Sequence, residues 1–122
     1  MYLCFSDSLF WRSNFLDQDK MTPEGVEKQD IDKFLKKLGP GLCWSFKPYM
    51  AGMGKSGVPD YCLCLNGCFW GIEVKRSGKA PTIIQARRML EITRAGGHAV
   101  AGTADVVIQE LTDWLAARGV VV

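Results

Sequence analysis

Asp60, Glu73 and Lys75 are the residues of this chain whose types and spacing most readily do chemistry together. Asn66-Gly67, between the strand-like runs "YCLCL" and "CFWGIEVK", is the signature of a hairpin closed by a two-residue type I′ turn. That turn fixes the register. Leu65 faces Cys68, Cys64 faces Phe69, Cys62 faces Gly71, and Asp60 faces Glu73. Directly opposed side chains hold their Cβ atoms about 4.5–5.5 Å apart, and like charges there repel, so positive charge is expected between the two carboxylates. Lys75, two residues beyond Glu73, projects from the same face. Two opposed carboxylates suit a hard cation. Magnesium takes oxygen ligands, keeps several waters and is typically held by one or two carboxylates plus a phosphate. Such a site fits attack on a phosphodiester, with Lys75 orienting the water or steadying the pentacovalent phosphorus.

The segment leading into Asp60, "YMAGMGKSGVPDY", offers a competing chemistry. Gly52, Gly54 and Gly57 spell G-x-G-x-x-G, and Gly54-Lys55-Ser56 is the tail of a P-loop. A P-loop needs a glycine where this chain has Tyr49, and its Ser/Thr must open a helix; here Pro59 follows Ser56 closely. A dinucleotide fingerprint needs strand, glycines, then helix, whereas strand, turn and strand follow Pro59. No nucleotide cofactor is expected, and the glycines are read as a mobile lead-in to Asp60.

With 122 residues, 48% hydrophobic and 23% charged, the chain is expected to be globular. No apolar run reaches membrane-spanning length, and the N-terminus lacks the pattern of a signal peptide. An intracellular protein with no membrane partner is the expectation. Five cysteines, three of them in the hairpin, argue against a secreted disulfide framework. The formal charge of +2 is unevenly spread. Between Lys75 and Arg94 lie six bases (Lys75, Arg76, Lys79, Arg87, Arg88, Arg94) against one acid, Glu91. A solvated basic helix face accounts for such a run, and so does a polyanionic partner.

Residues 1–20 have no clear period and are treated as an N-terminal appendage, with a single domain over 21–122. Thr22 is a credible N-cap with Pro23 at the first helical position. Glu24, Glu27, Ile31, Phe34, Leu35 and Leu38 then recur at helical spacing until Gly39-Pro40-Gly41 stops the helix. "LCWSF" is a short strand. After the hairpin, Thr82 caps a helix from about Ile83 to Ala95, ended by Gly96-Gly97. "HAVAGT" is a further strand, and Ala104 to Arg118 a final amphipathic helix. The predicted order is helix, three strands, helix, strand, helix.

"SGVPD", then "EVK", then Gln85 on a helix, together with "TPEGVEK" and "GKAPTIIQ", resemble the PD-(D/E)XK nuclease superfamily, and within it the small stand-alone phage-type members of the VRR-NUC branch. The resemblance covers about Met21 to Thr103. It implies an α/β fold, a restriction-endonuclease-like core in αβββαβ order on a mixed central sheet, here with a C-terminal helix. It implies a Mg2+-dependent DNA endonuclease, with Mn2+ able to substitute. Asp60, Glu73 and the backbone carbonyl of Val74 would bind the metal, Lys75 would be catalytic, Gln85 would support the site, and Glu24 would reach the metal through water. It also implies a homodimer, selectivity for branched DNA such as four-way junctions, and a bacterial or phage-infected host cytoplasm. Lys55, Arg76, Lys79, Arg87 and Arg88 are the candidate DNA contacts.

Several of these residues have a second explanation. Thr82-x-x-Gln85 is also a capping box. Glu24 also favours the positive end of a helix dipole, and Glu27, one turn on, is its rival for the metal. Lys55 is either a phosphate contact or a solvated loop charge. His98 is read as structural rather than as a general base. Cys62 and Cys64 share a face that Cys68 does not, which disfavours a zinc cluster. A non-catalytic nucleic-acid-binding module on the same fold is the alternative function.

Overall fold

A computed structural model of the chain describes residues 21–49 and 54–122. The proposed N-terminal appendage lies outside the described residues, as do Gly52 and its immediate neighbours.

Helix α1 (Pro23–Leu38) begins where its sequence says it should. The Thr22 hydroxyl accepts from the Gly25 amide at 3.0 Å, Pro23 fills the first turn, and Gly39 leaves the helix at φ 83°. Strands β1 (Cys43–Phe46), β2 (Tyr61–Leu65) and β3 (Cys68–Val74) form an antiparallel meander. Asn66 and Gly67 both take positive φ, 48° and 82°, as a type I′ turn requires. The chain then crosses through α2 (Ile83–Arg94) to β4 (His98–Gly102), which lies parallel to β3, and ends in α3 (Ala104–Ala116). The sheet order is β1-β2-β3-β4, mixed, with β1 and β4 at its edges.

Alternation along the strands divides the two faces into different jobs. Tyr61, Leu63 and Leu65 of β2 and Trp70, Ile72 and Val74 of β3 point to one side, where Ile31 and Leu35 of α1 and Val107, Leu111 and Leu115 of α3 cover them. Among the described residues, the largest fully buried side chains all belong to this layer. At roughly 1.5–3 kcal/mol for each large apolar side chain buried, this layer supplies most of the stabilisation. The opposite face is therefore free to carry polar groups. Only α2 lies on it, over β3 and β4, and none of the helix's own residues is fully buried. The β1 side of that face leaves Trp44, Phe46 and Phe69 exposed.

Helix α2 comes close because Gly71 has no side chain. A Cβ there would stand 2.8 Å from Cγ of Pro59 and 2.9 Å from Cδ1 of Ile92. The lead-in loop is also packed, contrary to the expectation of a mobile segment at its described end. Gly57 takes φ 76°, and a Cβ on it would lie 2.9 Å from the Ile84 carbonyl oxygen. Arg88 Nε donates to the Ser56 carbonyl at 2.9 Å. The glycine there serves close approach to α2.

Candidate metal centre

The acidic residues of the hairpin meet at the rim formed by the start of β2 and the end of β3, but not by the route the register suggests. The β2–β3 ladder ends at Tyr61 opposite Ile72, and Asp60 lies outside it. Pro59 cannot donate to a ladder, and Asp60 instead turns its carboxylate toward β3, where Oδ2 accepts from the Val74 amide at 2.8 Å. This hydrogen bond satisfies a backbone donor that strand pairing leaves free at that edge. It also sets the Asp60 carboxylate beside that of Glu73.

Glu73 points to the α2 face and is 2% exposed, and Lys75, two residues on, is 6% exposed. Lys75 Nζ lies 3.4 Å from Glu73 Oε2, and Gln85 Nε2 donates to the same oxygen at 3.1 Å. The two explanations for Gln85 hold together. Its Oε1 accepts from the Thr82 amide at 2.9 Å while the Thr82 hydroxyl accepts from the Gln85 amide at 3.3 Å, a complete capping box. The cap uses the amide oxygen and leaves the amide nitrogen for Glu73. Capping thus fixes the rotamer that reaches the site.

Helix α1 supplies a second layer. Lys28 Nζ lies 3.3 Å from Asp60 Oδ1 and 3.6 Å from Glu24 Oε2, tying both acids to one ammonium. Partial burial works against the charged form of Lys28, but Asp60 and Glu24 outweigh it and raise its pKa. Glu27 has a different role: its Oε1 accepts from the Ala104 amide at 2.7 Å. Thr103 makes no side-chain cap on α3, so Glu27 satisfies that helix N-terminus from across the core layer. Of the two glutamates, Glu24 is the one on the Asp60 side. Neither Lys28 nor this use of Glu27 is visible in the sequence pattern.

The candidate DNA contacts divide into two groups. Arg76, Lys79 and Arg87 are exposed and make no ion pair among the described residues. Arg88 is turned inward, holding the Ser56 carbonyl and donating to Glu91 at 2.9 Å, and Lys55 lies 3.4 Å from the same glutamate. His98 is on the core side, stacked on Trp70 at 4.7 Å between ring centroids. Cys62 is buried and Cys64 exposed.

The donor set fits a hard divalent ion. Its side chains offer oxygen only, from Asp60 and Glu73, with the Val74 carbonyl next in the chain. Among the described residues no group of three or more His, Cys, Asp or Glu is placed to hold a metal ion by itself. Further ligands would then be water or phosphate, the habit of magnesium rather than of structural zinc. The electrostatics point the same way. Burial first, and then the hydrogen bond and charge of Asp60, push the Glu73 carboxyl up to about 7 although Lys75 pulls it down. A carboxyl held so high by burial beside a second carboxylate is one whose charged form a bound cation would favour.

This shift has a measurable consequence in metal-free protein. Because the folded pKa lies above the ordinary value of 4.5, the Glu73 contribution to stability is fully present below pH 4.5 and is lost as pH rises through about 7. The full loss is on the order of 3 kcal/mol for a shift of this size. Denaturation in chelator should reveal a stability decline across this window in the wild type. Glu73→Gln should lack that component; its slope is the readout, since the substitution also leaves Lys75 unpaired. An unaltered slope would place Glu73 in an ordinary solvated setting.

No protein-family model matches the chain, and no curated protein matches it. Among solved structures, one described as "VRR_NUC domain" is similar to it, with 23% sequence identity, a TM-score of 0.63, and coverage of 76% of this chain and 97% of that chain. At this identity the likeness bears on the fold. The chain has the VRR_NUC fold, and the restriction-endonuclease-like αβββαβ core with its mixed sheet and C-terminal helix, expected from the sequence, is the architecture found.

Proposed function

We propose that this chain, a VRR_NUC fold with a buried acid–lysine–glutamine cluster at one rim of its sheet, is a divalent-metal-dependent DNA endonuclease. The observation that carries this reading is Glu73: a carboxylate inside the fold, next to a second carboxylate, with a lysine and a glutamine aimed at one of its oxygens. A non-catalytic binding module gains nothing from keeping two repelling acids together at a cost in stability. Asp60 and Glu73, with the Val74 carbonyl and Glu24 through water, would hold Mg2+ or Mn2+. When bound, such an ion supplies Lewis acidity toward the phosphate oxygens and the attacking water.

The protein's own groups do the rest. Gln85 locks Glu73 in one rotamer. Lys75, almost fully desolvated, orients the attacking water and offsets charge developing on the phosphodiester, an effect that is strong where water is excluded. Arg76, Lys79 and Arg87 take backbone phosphates, whereas Arg88 acts by holding the loop that precedes Asp60.

Branched DNA is the proposed substrate and a two-fold homodimer the proposed assembly, since two symmetric sites match the symmetry of a four-way junction. The apolar N-terminal residues Phe5, Leu9, Phe10, Trp11 and Phe15 lie outside the described residues, and of the three C-terminal valines Val120 packs on the core while Val121 and Val122 are exposed. Exposed Trp44, Phe46 and Phe69 are the better candidates among those described. Incubation with four-way junction, flap, linear duplex and single-stranded DNA in Mg2+, Mn2+ or chelator tests the activity. Metal-dependent cuts on opposing strands of the junction are expected, and undiminished cleavage in excess chelator would exclude the mechanism. Sedimentation equilibrium with junction bound should give a dimer mass; a monomer would leave a nicking or flap-cutting enzyme.

A further inference from the structure

We infer that Lys28 is the internal counter-ion of the site: in the free protein its ammonium offsets the charge that a divalent cation would offset, and so sets how much metal is needed to load it. The inference rests on the proposed metal centre at Asp60 and Glu73. Both oxygens of Asp60 are engaged, Oδ2 by the Val74 amide and Oδ1 by Lys28 at 3.3 Å, and Glu24 shares the same ammonium at 3.6 Å. A cation taking up Asp60 through Oδ1 must share that oxygen with Lys28 or displace it, and one held at Oδ2 still meets the Lys28 charge close by.

This position is built rather than incidental. The Tyr61 hydroxyl lies 3.1 Å from the Lys28 carbonyl oxygen and 2.7 Å from Asp32 Oδ1, so the residue following Asp60 docks directly on the turn of α1 that carries Lys28. The same contact fixes helix and acid together. An i,i+4 pair with Glu24 would form on any exposed helix, but it would not need this anchor or reach Asp60. Lys28 is a positioning residue: it holds the Asp60 and Glu24 carboxylates to one ammonium without metal and opposes metal with it.

The test is Mn2+ binding by the full chain without DNA, followed through the electron paramagnetic resonance of free Mn2+, with melting curves in chelator and in Mn2+. Lys28→Gln removes the charge and should tighten Mn2+ binding about tenfold, as expected for taking one unit charge from near a doubly charged ion in partly solvated surroundings. It should also lower the melting temperature in chelator and enlarge the gain on adding Mn2+. Lys28→Arg keeps the charge and should bind like the wild type. Weaker or unchanged Mn2+ binding by Lys28→Gln overturns the counter-ion role. Wild-type Mn2+ affinity in Asp60→Asn is the separate result that would overturn the metal centre itself.

Discussion

Asp60→Asn and Glu73→Gln should each eliminate the proposed DNA cleavage, by more than about 100-fold, while DNA binding should stay intact or tighten slightly. Loss of an outer partner of a metal ligand typically costs about 10–100-fold, and a ligand should cost more. Neither change adds bulk. In Asp60→Asn the new carboxamide oxygen can still accept from the Val74 amide, so the rim of the sheet should keep its shape. Binding survives because removing a negative charge reduces repulsion of the phosphate backbone. Single-turnover cleavage of a junction, with fluorescence anisotropy for affinity, separates the two effects. A wild-type rate in either variant would move the active centre elsewhere.

Lys75→Met should lower the cleavage rate by about 10²–10³-fold, the usual effect of deleting one preorganised group at a transition state, with DNA affinity nearly unchanged. A second signature distinguishes it from a lost phosphate contact. Lys75 is the group that holds the Glu73 carboxyl down to about 7. Without it, Glu73 in metal-free protein stays protonated to higher pH, so protons compete more with the metal and the acid limb of the rate profile should move upward. Arg87→Ala should do the opposite: weaker binding, a salt slope reduced by about one unit, and an unmoved pH profile. If Lys75→Met matched Arg87→Ala in all three readouts, Lys75 would be an ordinary phosphate contact.

How much of this could be read beforehand depended on the range of the interaction. Asn66-Gly67, Thr22-Pro23 and Thr82 act within a few residues, and the hairpin, α1 and α2 begin or turn where those residues stand. The hairpin alone suggested that Asp60, Glu73 and Lys75 converge. It gave the wrong means for Asp60, because pairing alone cannot tell that the ladder stops at Tyr61 and that a side chain replaces the next rung. Tertiary partners were not legible. Lys28 looks like half of a helical ion pair until α1 is docked by Tyr61, and Glu27 looks like a metal candidate until an amide 77 residues away claims it. Arg88 reads as part of a basic run, and only the packed loop shows where its charge goes. The capping-box formula for Gln85 was correct but incomplete, since a primary amide has two ends and the formula uses one.

Gly71 gives this site a width. Pro59 precedes Asp60, and Ile92 lies on the helix that carries Gln85; both touch the space where a side chain at position 71 would begin. One added methyl group would press on the Pro59 ring and on the end of the Ile92 side chain, and to the extent that these cannot turn aside it would shift the loop and the helix off β3, spreading Asp60, Glu73 and Gln85 without altering any of them. A degenerate copy of this gene could thus keep every acid, the lysine and the glutamine and still encode an inert protein. Tallies of catalytic letters would count such a copy as intact, so separating working relatives from decayed ones requires attention to a position that contributes no functional group at all.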